Sequence, residues 1–183
     1  MKKQPITTLA FKIVVLLLAR LAFSCSINSD ANETETQVYF SPRGGTTEAI
    51  LTAIANDKTE ILVQAYSFTS APIAKALVDA HKRRVQVEAI LDKSQRKETY
   101  TEATFLANMG IPTYIDDKHA IAHNKIMIID KTTVITGSFN FTKAAKEKNA
   151  ENLLILKSKD LASKYIDNWM KHKEHSAPYQ ARY

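Results

Sequence analysis

The chain is poor in cysteine: Cys25 is the only one. No intramolecular disulfide can form and no cysteine-based zinc site can be built, and removal of all of residues 1–26 would leave no cysteine at all. Excess charge is also scarce outside the N-terminus. The formal net charge is +6, but residues 1 to 26 hold Lys2, Lys3, Lys12 and Arg20 without one acid, which leaves 21 basic against 19 acidic residues in the remainder. Overall basicity therefore says little about a polyanionic partner. A long internal repeat is missing, the pattern His-x-Lys occurs once, and no stretch resembles a base-reading module, so any nucleic-acid binding would be independent of sequence. Nor does an amphipathic interfacial helix stand out beyond the N-terminal segment.

The one apolar run near the start, Ile13 to Ala19, is short for a bilayer span, which takes about 20 residues, and Arg20 ends it. A basic start, an apolar run and small residues at Ala22, Ser24 and Ser26 read as an export signal over residues 1–26. Cleavage after Ser24 satisfies the small-x-small preference; lipidation at Cys25 is a weaker reading because Ala22, not Leu, stands three residues earlier. The expected location is periplasmic or secreted, with no stable membrane association once the leader is removed. An uncleaved membrane anchor is the alternative. Residues 27–36, INSDANETET, are polar and patternless and read as a flexible linker. Residues 37–175 form the expected catalytic domain, and 176–183 a C-terminal tail.

What is present from Gln37 onward is alternation of strand and helix. Strands are expected at Val38–Phe40, Glu60–Tyr66, Val85–Leu91, Ile111–Ile115 and Asn152–Lys157, and helices at Thr46–Asn56, Pro72–His81, Glu98–Asn108 and from Asp160 to about His172. Several strands lack polar alternation, so they are buried on both faces: an α/β fold with a mixed sheet covered by helices on both sides. The Gly44-Gly45 pair ahead of a helix is either a plain turn or a phosphate contact.

The chemistry is concentrated in residues 119–140, HAIAHNKIMIIDKTTVITGSFN. Lys125–Ile129, a turn at Asp130–Thr133 and Val134–Ile135 read as a hairpin. Alternation puts His123 and Lys125 on one side at its entrance, and Ser138 and Asn140 repeat that two-residue spacing at its exit. Gly137 allows a close backbone approach just before them. Such a cluster suits phosphoryl transfer: a neutral imidazole can form a phospho-histidine while an ammonium, a hydroxyl and an amide hold the non-bridging oxygens. That logic requires no metal and no cofactor. His119 reads as a loop histidine or as a second catalytic imidazole.

The spacing HxKxxxxDxxxxxxGSxN resembles the signature of the phospholipase D superfamily, and its single copy in a short chain is similar to the small bacterial endonuclease branch. FSPRGG near the first strand and LDKSQR at residues 91–96 are similar to that branch as well. The resemblance implies a phospholipase D-like fold with His123 as nucleophile, phosphate held by Lys125, Ser138 and Asn140, and Glu151, 28 residues past His123, orienting the imidazole. Asp130 and Gly137 are then structural members of the motif. One motif per chain implies a homodimer in which a second copy of His123 is the general acid and base. Basic residues Lys93, Arg96 and Lys97, with Lys143, Lys146 and Lys148, follow strand ends and could form a groove for a nucleic-acid backbone; solvated surface charge is the other reading. The expected function is metal-independent hydrolysis of DNA, and of RNA as a further substrate. The alternative is a phospholipase D-type lipid hydrolase, and the least favoured reading is a non-catalytic nucleic-acid-binding protein.

Overall fold

A computed structural model describes residues 35–181; the expected export signal, Cys25 and most of the expected linker lie outside the described residues. In chain order the elements are β1 (Glu35–Ser41), α1 (Thr46–Ala55), β2 (Glu60–Ala65), α2 (Ala71–Lys82), β3 (Gln86–Asp92), a 3-10 turn (Lys93–Arg96), α3 (Ala103–Asn108), β4 (Thr113–Asp116), β5 (Lys125–Ile129), β6 (Thr133–Gly137), α4 (Lys143–Glu147), β7 (Glu151–Lys157), α5 (Lys159–His175) and β8 (Ala177–Pro178). They build an eight-stranded mixed sheet in the order β1-β7-β6-β5-β2-β3-β4-β8. The β2-β3-β4 pairs are parallel and the others antiparallel.

Period-two alternation sorts side chains between two layers. Ile61, Val63 and Ala65 of β2, with Met127 and Ile129 of β5, share a core with Ile50, Ile54, Ile73, Leu77 and Leu106 from α1, α2 and α3. Leu62, Ile126, Ile128 and Val134 face the other way, against Ala162 and Trp169 of α5. Trp169 is buried, and its indole Nε1 donates to the Val63 carbonyl at 2.9 Å, so the large ring is sequestered without a lost hydrogen bond. Among the described residues no helix is long and apolar enough to cross a membrane.

Four boundaries differ from the sequence expectation. Glu35 and Thr36 belong to β1 rather than to the linker, because both pair with β7 and Lys157 closes an ion pair on Glu35 at 2.8 Å. The helix expected from Glu98 begins only at Ala103. Ahead of it, Asp92 Oδ1 accepts from Ser94 N at 2.8 Å to start the 3-10 turn, and Thr101 donates to the buried Gln95 carbonyl at 3.0 Å, so side-chain bonds hold this segment out of a helix. Lys143–Glu147, where no helix is among those expected, form the short helix α4, capped by Thr142 Oγ1 accepting from Ala145 N. Finally, α5 runs to His175, and Ala177–Pro178 of the expected tail adds a strand beside β4.

Candidate active site

Antiparallel pairing brings distant residues to one edge of the sheet. The C-terminal ends of β2 and β6 lie beside the N-terminal ends of β5 and β7, through the pairs Ala65↔Lys125 and Gly137↔Leu153, and Ser41 at the end of β1 stands opposite Glu151. His123, Lys125, Ser138, Asn140 and Glu151 therefore emerge together. Asp130 does not: it turns the hairpin at the opposite edge.

His123 is exposed and precedes β5. Its imidazole lies against Tyr66, with ring centroids 4.6 Å apart and planes tilted by 58°, and forms no side-chain hydrogen bond among the described residues. Lys125 is buried. Its ammonium lies 5.2 Å from the centroid of the same Tyr66 ring and donates to the His123 carbonyl at 2.9 Å. Burial pushes the Lys125 ammonium below its ordinary range, and the Glu151 carboxylate partly opposes that shift. Tyr66 was not legible as a site residue; its only signal was its position at the end of a buried strand.

The GSFNF segment positions the next two groups. Phe139 and Phe141 are fully buried, so the intervening Ser138 and Asn140 are turned away from the core. A Cβ on Gly137, whose φ is +149°, would overlap the Asn152 carbonyl. That closeness lets Ser138 N and Phe139 N both donate to Asn152 O, at 3.1 and 3.2 Å, while Ser138 Oγ accepts from Asn152 N at 3.0 Å. Asn140 Oδ1 is buried and has no hydrogen-bond partner. Glu151 accepts from Asn149 Nδ2 at 3.1 Å, and among the described residues no hydrogen bond joins it to His123.

Asp130 accepts from the amides of Lys58, Thr59 and Glu60 and from Thr59 Oγ1, all between 2.8 and 3.2 Å. Burial raises its pKa, but these hydrogen bonds outweigh it and hold the carboxylate below its ordinary range. The Gly44-Gly45 turn is tight for packing reasons, since a Cβ on Gly44 would overlap the Phe40 carbonyl. A further residue the sequence did not single out is Asp92, whose Oδ2 accepts from Ala122 N at 2.7 Å and tethers the loop leading to His123. A cleft of about 720 Å³ runs between α1, β1 and the Asp130 turn, and His123 and Lys125 do not line it.

The basic residues divide. Lys93, Lys97, Lys143 and Lys148 are exposed, Lys143 with its ammonium 3.9 Å from Glu147. Arg96 is paired with Asp117 at 3.2 Å and Lys146 with Glu48 at 2.6 Å, which ties both heads to local acids. His119 turns away from His123 towards Asp116, at 2.9 Å, and packs against His172 and His175.

Residues 50–173 match the family model described as "Cardiolipin synthase, PLD-like domain". A protein named phospholipase D from Rickettsia conorii is 40% identical over 145 residues, covering 79% of this chain and 72% of its own length. Among solved structures, Nuc from Salmonella typhimurium, described as a phospholipase D family member, superimposes with a TM-score of 0.78 at 39% identity and covers 81% of this chain and 100% of its own. NucT from Helicobacter pylori shares the fold, with a TM-score of 0.74 at 22% identity over 80% of this chain and 100% of its own. An intact HxKxxxxDxxxxxxGSxN motif, its His, Lys, Ser and Asn gathered at one sheet edge, within this fold and at these identities, leads to one conclusion: the chain belongs to the phospholipase D superfamily and is a phosphodiesterase of that superfamily.

Proposed function

We propose that the chain is a sequence-independent endonuclease that hydrolyses phosphodiester bonds of DNA, and of RNA as a further substrate, through a phospho-histidine, with its active site completed by a second copy. The observation that carries this reading is an exposed imidazole, free of internal hydrogen bonds, beside the buried Lys125 ammonium on an open edge that strand-end lysines flank. An open, lysine-bordered edge suits a polymer backbone better than an enclosed small-molecule pocket does.

His123 attacks phosphorus, a P–N bond forms and the P–O bond to the leaving strand breaks. The leaving oxygen takes a proton from the imidazolium of the second copy's His123. That imidazole then removes a proton from water as the water attacks phosphorus; the P–N bond breaks and His123 is regenerated. Lys125, Ser138 and Asn140 hold the non-bridging oxygens; the unpartnered Asn140 side chain and the exposed Ser138 support that role. Glu151 orients the imidazole from the start of β7. The basic, then apolar, residues 1–26 support export of the protein to the periplasm or medium.

Supercoiled plasmid is incubated with purified protein in excess EDTA, at a temperature where circular dichroism shows the chain folded. Nicking that vanishes in His123→Ala is expected. Mixtures of wild type and His123→Ala test the shared site, since a mixed dimer should be inactive. A lipid substrate is the second reading, favoured by Ile121, 58% exposed two residues before His123, and by the name of the Rickettsia relative. Choline release from phosphatidylcholine vesicles without nicking would select it.

A further inference from the structure

Away from His123, three of the five histidines converge on a single carboxylate. Asp116, fully buried at the end of β4, lies 2.9 Å from His119 Nδ1 through Oδ2, 2.7 Å from His172 Nδ1 through the same oxygen, and 3.3 Å from His175 Nε2 through Oδ1. His172 and His175 stand three apart on α5 and so share one face. The rings pack mutually, with centroids 4.8 to 5.4 Å apart. His175 Nε2 is wholly enclosed, yet its alignment makes no hydrogen bond. Three imidazoles are turned onto one carboxylate, and the enclosed nitrogen of one of them finds no hydrogen-bond partner in the protein, which leaves a convergent donor set with unused capacity.

We propose that Asp116, His119, His172 and His175 form a structural site for a zinc-class divalent transition metal. The four donor atoms lie within 4.8 Å of one another. Tetrahedral zinc, with bonds of about 2.0–2.1 Å, separates its ligands by roughly 3.3 Å, so small rotamer adjustments seat the ion. Three imidazoles and a carboxylate suit zinc, cobalt or copper and are wrong for calcium or magnesium, which take oxygen ligands. No sequence pattern marks this site, because its ligands come from a strand end, a loop and a distant helix.

The site ties the loop that ends at His123 to the C-terminal helix. That loop is otherwise anchored by Lys93 Nζ donating to the His119 carbonyl at 3.1 Å and by Asp92 accepting from Ala122 N. A metal bound to His119 fixes the same segment from the α5 side. It takes no part in the phosphoryl chemistry, and the inference stands whether or not the nuclease reading does.

The test uses the full chain stripped with chelator and titrated with Co²⁺. One equivalent per chain is expected to produce the visible bands of tetrahedral cobalt, to be displaced by Zn²⁺, and to raise the thermal midpoint. His119→Ala and His172→Ala should each weaken binding at least about 100-fold, whereas His123→Ala should bind as wild type does. His119 is half-exposed in a loop, so its variant should stay folded if His172→Ala does not. A folded wild-type chain that takes up no equimolar metal, or uptake unchanged in His119→Ala, overturns the proposal.

Discussion

Lys125 donates to the backbone carbonyl of His123, two residues before it, at 2.9 Å. The cation next to the candidate nucleophile is thus also a strut for that residue's main chain. Because the ammonium is buried and burial disfavours its charge, replacing it with an uncharged chain of similar length should separate function from stability. Lys125→Met is expected to lower kcat/KM on nucleic acid by about 100- to 1000-fold. Its stability should change by less than about 1.5 kcal/mol, measured by urea unfolding. A variant that unfolds outright would assign Lys125 a structural role first.

Tyr66 carries both His123 and Lys125 on its ring. The contact uses the aromatic face, so Tyr66→Phe should retain activity. Tyr66→Ala should reduce kcat by about tenfold as the imidazole loses its support. Steady-state kinetics on both variants checks this, and equal loss in the two would point to the hydroxyl instead.

Gly137→Ala should be among the more damaging single-methyl additions. The new Cβ overlaps the Asn152 carbonyl, and φ of +149° disfavours any side chain. A fall of about 5–10 °C in thermal midpoint is expected by calorimetry, together with weakened substrate binding as Ser138 moves off Asn152.

Asp130 predicts an acid-dependent stability term. Its carboxylate is held below the ordinary aspartate range by hydrogen bonds that outweigh the effect of burial. The contribution is therefore fully present above the unfolded value near pH 4 and is lost as pH falls through the lower, folded value. Asp130→Asn keeps a residue type that tolerates the φ of +52° found there. It should destabilise the protein at pH 7 by about 1–3 kcal/mol and flatten the decline of the midpoint below pH 4. Wild-type and variant curves running parallel down to pH 2 would refute this.

What the amino-acid order determined by itself was local. Unbroken apolar runs such as Ile126–Ile129 marked strands covered on both faces, and the alternation in Gly-Ser-Phe-Asn-Phe already separated two anchors from two outward polar groups. The motif spacing named the chemistry because its members lie on one hairpin with its entrance and exit, and a hairpin returns Ser138 and Asn140 to the edge where His123 and Lys125 begin.

Only tertiary structure decided which residues meet across that hairpin. The register Ala65↔Lys125 sets Tyr66 against His123, and antiparallel pairing sends Asp130 to the far edge, where it holds the entry to β2. Strand β8 contains a proline and has no strand signal of its own; it exists because β4 offers it an open edge. The Asp116 cluster is the sharpest case. From the sequence His119 reads as a loop histidine or a second catalytic imidazole, and its histidine partners lie more than fifty residues on, in a helix whose own periodicity shows only that His172 and His175 share a face. Packing of α5 across the sheet, driven by Trp169 and Ala162, brought them together, and no local pattern encodes a contact made by burial at that range.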